Sequence, residues 1–162
     1  MIDFRFSTAF QMVLSVALAD QEGFRCTSKV LADGLNANPS FVRQLLVPLR
    51  RDAIIDASVG KGGGLRLARP AASITLRDIY ASITGEKRFL LARPSVSPRC
   101  RVSANIEPLF EKVAADADKA LLASLERRNV AEALKELLRL DKDRIARGGV
   151  RIAPEREFVL EE

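Results

Sequence analysis

Histidine is missing from all 162 residues of the chain, which also has no tryptophan and a single tyrosine. Without histidine there are no serine–histidine or cysteine–histidine nucleophile pairs and no histidine metal ligands. The side chain that most often acts as general acid or base is absent as well. The composition therefore argues against an enzyme, and we assign no catalytic residue and no metal site.

Cysteine and long apolar runs are also scarce. Cys26 and Cys100 are the two cysteines of the chain, too few for a disulfide framework. No apolar run approaches the ~20 residues of a membrane-spanning helix. The N-terminus lacks the basic segment and apolar core of a secretory signal. We therefore expect a cytoplasmic protein with no membrane partner.

Positive charge is abundant, and it is concentrated in one segment. The net charge is +5, and four of these five charges lie between Pro39 and Pro70. A local excess of arginine and lysine favours a polyanionic partner such as DNA. The alternative is a basic face exposed to solvent with no partner, so the motifs in this segment must decide.

Helical periodicity and caps predict three helices before this basic segment ends. The first covers residues 7–20 with Ser7 as its N-cap, and the second runs from Thr27 or Ser28 to about residue 35. The third begins at Asn38 and Pro39, because proline suits the first helical position. Two helices joined by a short turn form the core of a helix-turn-helix.

A hairpin and a fourth helix are predicted next. Residues 54–59 and 65–68 have strand patterns and flank the turn GKGGG at residues 60–64. Thr75 and Asp78 have the spacing of a helix start, and Gly85 is a helix end. A hairpin directly after a helix-turn-helix has the arrangement of a wing.

The second half predicts a loop followed by two helices. Prolines and basic residues favour a loop over residues 86–104, after which Asn105 is the predicted cap of a long helix and Asn129 that of a last one. The predicted domains are a winged helix-turn-helix at 1–85, a sensor or linker loop at 86–104, dimerisation helices at 105–140 and a C-terminal tail at 141–162.

These motifs together resemble the BadM/Rrf-two family of bacterial winged helix-turn-helix regulators. The resemblance rests on SFVRQLLVPLRR at residues 40–51, GKGGGLRLARP at 60–70 and ITLRDI at 74–79. A later stretch, CRVSANIEPLFEKV at 100–113, is similar to the dimerisation region of the family's cluster-free branch. The resemblance implies a mainly α fold with a small β-hairpin and a long dimerisation helix.

The resemblance also implies which residues bind double-stranded DNA. Arg43 and Gln44 match the exposed face of the family's recognition helix, where arginine can read guanine and glutamine adenine. The alternative for Arg43 is contact with phosphate alone, the role that we expect for Arg50. The complete predicted DNA-binding set is Thr27, Ser28, Ser40, Arg43, Gln44, Arg50, Lys61, Gly62 and Gly63.

An apolar stripe on the long helix predicts a homodimer. On an isolated winged domain this stripe would expose a large apolar surface, so a second copy of the helix is its expected partner. Two copies would place two recognition helices about one DNA turn apart, ~34 Å, on a palindromic operator. The predicted dimerisation residues are Ile106, Leu109, Phe110, Val113 and Leu121.

Cys100 is the predicted sensor. Family members that hold an iron–sulfur cluster carry three closely spaced cysteines in the loop before the long helix, whereas this loop has Cys100 alone, so no cluster and no other cofactor is expected. The flanking Arg99 and Arg101 favour its thiolate, the reactive form. The alternatives are a cysteine without a regulatory role and a small-molecule effector.

The sequence thus predicts a homodimeric, sequence-specific transcriptional regulator, acting as a repressor, that responds to oxidants or electrophiles through a thiol. The alternative from another class is a winged-helix protein-interaction module without specific DNA binding, because a fold does not fix a function.

Overall fold

The computed structural model describes residues 4–58, 60, 63–85, 90–93, 97 and 99–152. It confirms a mainly α fold with one small antiparallel hairpin. The described elements are α1 (Arg5–Glu22), α2 (Ser28–Gly34), α3 (Pro39–Arg51), β1 (Ile55–Ser58), β2 (Gly64–Leu67), α4 (Leu76–Thr84), α5 (Arg101–Glu126) and α6 (Val130–Ala146), with a 3₁₀ turn at Ala71–Ser73.

Helix α1 is the central core helix, and it starts earlier than predicted. Phe4 occupies its N-cap position, and the hydroxyl of Ser7 donates to the Phe4 carbonyl from inside the first turn, 3.0 Å away. The prediction that Ser7 caps this helix is therefore wrong. Gly23 ends α1 with φ 72°, a left-handed conformation that suits glycine, and its N–H donates to the Ala19 carbonyl.

The helix-turn-helix forms as its caps predict. The Thr27 hydroxyl accepts from the Val30 N–H at 3.2 Å, and the Asn38 side chain accepts from the Ser40 N–H at 2.8 Å. Helix α3 continues through Pro48 to Arg51. Its inward face buries four apolar residues against the core: Val42, Leu45, Leu46 and Leu49.

The hairpin follows α3 directly, as predicted for a wing. Its strands pair antiparallel from Ile55 with Leu67 to Ser58 with Gly64. A backbone bridge joins Cys26 to Leu65, whose N–H donates to the Cys26 carbonyl at 2.7 Å. The segment before α2 therefore lies along the free edge of β2.

Helix α4 begins with the predicted capping box. The Thr75 hydroxyl accepts from the Asp78 N–H and the Asp78 carboxylate accepts from the Thr75 N–H, both at 3.0 Å. Arg69 reinforces this start, because its guanidinium donates to the Asp78 carboxylate at 3.0 Å and to the carbonyls of Ala53 and Ser73. The positive charge of Arg69 is therefore used in bonds within the fold.

Helix α6 returns to the winged unit, although its sequence position grouped it with the dimerisation helices. The Val130 N–H donates to the Ile74 carbonyl, and the Leu76 N–H donates to the Arg128 carbonyl, each at 2.9 Å. Val130 and Leu134 are buried in the same core as α1. The Asn129 side chain caps α6 as predicted, but the helix extends to Ala146, past the predicted end near 140.

Helix α5 begins five residues before the predicted start. Cys100 is its N-cap, and Asn105, the predicted cap, lies inside the helix with its side chain donating to the Arg101 carbonyl at 2.8 Å. That prediction is wrong, because the turn at Cys100 and Ser103 already satisfies the first free N–H groups. Among the described residues, no helix combines the length and apolar character needed to cross a bilayer.

Candidate nucleic-acid interface

One face of α3 is exposed and mostly polar. Its residues follow helical spacing, so they point away from the core on one side of the helix. Arg43 contacts Ser40 through a long hydrogen bond of 3.4 Å, which holds the guanidinium along the helix surface. The exposed residues of this face are Ser40, Arg43, Gln44, Val47 and Arg50.

This face forms one wall of an open concavity of about 480 Å³, which we call the α3–wing groove. The other walls are the segment before α2 with the start of that helix, and the hairpin. Four of the predicted DNA-binding residues are thus brought together in the groove, and Ser40 and Gln44 lie on the same exposed face of α3. The residues that line the groove are Arg25, Thr27, Ser28, Arg43, Leu46, Val47, Arg50, Ala57, Ser58, Gly60, Gly64 and Leu65.

The predicted wing residues are Lys61, Gly62 and Gly63. Lys61 and Gly62 lie outside the described residues. Gly63 is buried, and its carbonyl accepts from the Arg25 guanidinium at 2.5 Å. In the structure, Gly63 thus serves to attach the wing to the rest of the domain.

Three hydrogen bonds fasten β2 and the preceding Gly63 to the segment around the end of α1. Arg25 bonds Gly63, the Cys26 carbonyl accepts from Leu65, and the Asp20 carboxylate accepts from the Leu67 N–H at 2.8 Å. A Cβ on Gly64 would lie 2.7 Å from the Cys26 carbonyl oxygen, so only glycine permits this approach. The orientation of the wing is therefore fixed by a segment far away in sequence.

Sequence reasoning missed Arg25 and Asp20. Their partners lie 38 and 47 residues further along the chain, and no local motif signals such a contact. The available signal was the run of glycines at 60–64, which indicates that another part of the backbone lies close by but does not identify it. Arg25 also lines the α3–wing groove, so it adds a positive charge there.

The positive charge of the basic segment is divided between structure and surface. Arg51 donates to the neighbouring Asp52 at 2.8 Å, and hydrogen bonding by this guanidinium holds the pKa of Asp52 below its usual range. Arg69 is paired with Asp78. Arg43 and Arg50 remain on the exposed face of α3, beside Arg25.

Cys100 lies at the start of α5, at a distance in sequence from the groove. Its thiol is exposed, whereas Cys26 is buried beneath the wing. The Ser103 N–H donates to the Cys100 sulfur at 3.4 Å and lowers the pKa of that thiol, with the Ser103 hydroxyl and the Val102 N–H contributing as well. The sequence assigned this effect to the flanking arginines, but hydrogen bonds to the helix start are its largest cause.

The predicted dimerisation residues divide into two groups. Ile106, Leu109 and Val113 are exposed, by 36%, 59% and 53%, while Phe110 and Leu121 are half-buried. Val102, exposed by 68%, extends the first group towards the N-terminus. In α5 as a whole, Ala114 is the single residue classed as buried. In the part of the chain that the structure describes, one side of this 26-residue helix therefore stays exposed.

Comparison with known proteins now identifies the family. A family model named Rrf2, described as an iron-dependent transcriptional regulator, matches residues 2–136. The chain belongs to the Rrf2 family. The resemblance stated from the sequence is thereby confirmed, and the chain is a transcriptional regulator with a DNA-binding fold and not an enzyme.

Individual Rrf2-family relatives support this assignment over most of the chain. YwnA of Bacillus subtilis, named as a helix-turn-helix-type transcriptional regulator, is 23% identical over 137 residues, which are 85% of this chain and 99% of YwnA. The solved structure of a Lactobacillus plantarum protein described as a transcriptional regulator is similar with a TM-score of 0.68. It is 24% identical and covers 88% of this chain and 99% of its own.

A third similar protein is IscR of T. potens. Its structure has a TM-score of 0.64 and 20% identity, and the match covers 85% of this chain and 88% of that one. At these identities the solved structures establish the shared fold alone. The functions of particular residues must be argued from this chain.

Proposed function

We propose that this Rrf2-family regulator is a homodimer that binds a palindromic operator sequence-specifically and represses transcription from it. The observation that carries this proposal is the α3–wing groove, in which α3 presents exposed arginines beside the start of α2 and the hairpin. An α-helix fits the major groove of DNA, and a wing beside it can reach the neighbouring backbone or minor groove.

The side chains of α3 divide into base readers and phosphate contacts. Arg43 and Gln44 lie near the first turns of the helix, where the two N–H donors of Arg43 suit guanine and the amide donor and acceptor of Gln44 suit adenine in the major groove. Arg50 lies near the end of α3, and we assign it to phosphate. The Thr27 hydroxyl accepts from Val30 and keeps its own proton to donate, and Ser28 follows it on the same wall.

The exposed stripe on α5 supports the homodimer. Val102, Ile106, Leu109 and Val113 recur at intervals of four, three and four residues, which is the spacing of a coiled-coil seam. Pairing this stripe across a twofold axis would remove apolar surface from water and set two copies of α3 in opposite directions. A symmetric pair of readers requires a palindromic operator, and a dimer seated on a promoter would block polymerase, hence the proposed repression.

Cys100 is the proposed input. An oxidant or electrophile that modifies its thiol would remove the cap of α5, the helix that carries the dimer stripe. Such a change can alter the separation of the two copies of α3 and so their fit to DNA. A cytoplasmic location, beside the bacterial chromosome and within reach of small oxidants, belongs to this proposal.

Salt dependence tests the proposal most directly. Duplexes are selected from a randomised library with the full chain, and the affinity for the selected duplex and for a scrambled one is measured at rising salt. We expect a palindromic consensus and a slope of about −0.9 in log affinity per log salt for each phosphate contacted. A flat salt response with no consensus would favour the protein-interaction module instead.

A further inference from the structure

Val47 is the exception on the exposed face of α3. Its side chain is 68% exposed, whereas the other residues of that face are polar or charged: Ser40, Arg43, Gln44 and Arg50. The apolar residues that hold α3 in the core lie on the opposite side of the helix and are buried. The fold therefore has no need of a valine at this position.

Its location in the α3–wing groove gives Val47 specific neighbours. Arg43 precedes it by four residues and Arg50 follows it by three, so all three side chains lie along one side of α3. Val47 lines the groove together with both of them. Any duplex base that Arg43 reads is consequently within a base step or two of the Val47 methyl groups.

The major groove of DNA has one apolar feature, the 5-methyl group of thymine. Apolar side chains contact this methyl, whereas charged and amide side chains bind the polar edges of the other bases. Valine suits such a contact, because its branched Cβ restricts χ1 and its methyl groups lose little freedom on binding.

We propose that Val47 is a specificity-determining residue that contacts the 5-methyl group of a thymine beside the base pair read by Arg43. This inference rests on the proposed function, since it requires α3 to lie in the major groove. It adds a base preference that hydrogen bonding does not supply, because thymine and uracil present the same polar atoms.

Deoxyuridine provides the test, because it pairs as thymine does and lacks the 5-methyl group alone. In the duplex selected by the full chain, each thymine is replaced in turn by deoxyuridine, and the affinity is measured for three proteins. These are the wild type, Val47→Ala, and Val150→Ala, a control at another exposed valine far from α3 in sequence. Val47→Thr, which keeps one methyl group, serves as a second variant.

We expect at least one thymine whose replacement weakens binding by the wild type and by Val150→Ala roughly fourfold, the value of one buried methyl group. Val47→Ala should bind both duplexes equally, and Val47→Thr should lie between. The inference is overturned if no thymine is methyl-sensitive, or if Val47→Ala loses as much as the wild type. Failure of the proposed function is distinguishable, because the wild type would then select no sequence.

Discussion

The winged unit and helix α5 differ in how deeply the described part of the chain buries their side chains. The winged unit, formed by α1–α4, the hairpin and α6, holds a continuous core whose central side chains are fully buried, among them Met12, Leu49 and Ile79. Helix α5 is longer than any of its neighbours and buries Ala114 alone. The first region buries its apolar side chains within one copy of the chain, whereas the second leaves several of them exposed, which is why we propose a second copy as its partner.

The two sides of α5 explain this difference. One side contacts α4 and carries Leu125 into contact with the winged core, and Arg77 of α4 is paired with Glu126 at 2.7 Å. The other side carries the stripe from Val102 to Val113, which stays exposed although residues 91–93 lie beside its first two members, Val102 and Ile106. Helix α5 is thus anchored at its C-terminal end and exposed along its N-terminal half.

Changing the stripe should produce the largest effect. Leu109→Glu combined with Val113→Glu places two carboxylates in the proposed seam, where burying an unpaired charge is costly. We expect dimer affinity to fall by roughly 1000-fold or more, because two interface side chains that each contribute about 2 kcal/mol or more are lost. Sedimentation velocity measures the loss, and circular dichroism should show that α-helical content is kept.

The matched control is Leu140→Glu on α6, which is 55% exposed and outside the stripe. It introduces the same charge at an apolar surface residue and should leave the dimer intact. A double variant that sediments like the wild type would contradict the proposed seam and leave the apolar side of α5 without an explanation.

Within the winged unit, the greatest effect is expected where the wing is fastened. Gly64→Ala puts a methyl group 2.7 Å from the Cys26 carbonyl oxygen, which must move. We expect a loss of about 1–3 kcal/mol in the free energy of unfolding, as for other overpacked sites. DNA affinity should fall further than stability alone explains, because the hairpin no longer lies against Arg25.

Gly149→Ala is the steric control, because its Cβ would also lie 2.7 Å from a backbone oxygen, that of Arg144, beyond the end of α6. This variant should keep the DNA affinity of the wild type. Equal losses of DNA affinity in the two variants would show that the wing clamp has no special role in binding.

Local signals were sufficient for much of the winged unit. Asn38 with Pro39, Thr75 with Asp78, and Asn129 each form the cap that their spacing predicts, because a cap involves neighbours within four residues. The exposed side of α3 followed from helical periodicity in the same way. These features could be predicted because each depends on residues that are close together in the sequence.

Contacts between distant segments were not predictable. The bonds from Arg25 and Asp20 to β2, and the return of α6 to the core, join residues that no motif connects. Asn105 was mistaken for a cap because asparagine favours that position, whereas Cys100, a less usual cap, precedes a serine that completes the box. The hydrogen bonds of this one turn therefore decide where α5 begins, and the general preference of asparagine for N-cap positions does not.

Two variants of α3 distinguish a base contact from a phosphate contact. Arg43→Ala should lower the preference for the selected operator over random DNA by about 1–3 kcal/mol, because a bidentate base contact is lost. Arg50→Ala should weaken both duplexes alike and reduce the salt slope by about one. Fluorescence anisotropy on the two duplexes measures both effects. Equal losses on both duplexes for Arg43→Ala would assign Arg43 to phosphate instead.

The smallest predicted effect is a difference in alkylation, which the two thiols report from the winged unit and from α5 in the same molecule. Cys26 is 1% exposed in the winged unit, whereas Cys100 is exposed at the start of α5. Because the pKa of Cys100 is lowered in the folded chain, a larger fraction of this thiol is thiolate than in the urea-unfolded chain at the same pH. The thiolate is the form that reacts, so alkylation of Cys100 should persist to lower pH in the folded chain. Peptide mass spectrometry after timed alkylation gives the rate at each thiol.

Variants at position 103 test the cause of this shift. Ser103→Ala removes the hydroxyl but keeps the main-chain N–H, the largest cause, so the pH profile should move upward only in part. Ser103→Pro removes the N–H too, and proline is tolerated in the first turn of a helix, so the profile should move further. An unchanged profile in both variants would contradict the hydrogen-bond origin of the lowered pKa and favour the flanking arginines as its cause.

Cys100→Ser tests the regulatory role of this thiol. If Cys100 is the sensor, the variant should keep its DNA affinity after mild peroxide treatment, whereas the wild type should lose it.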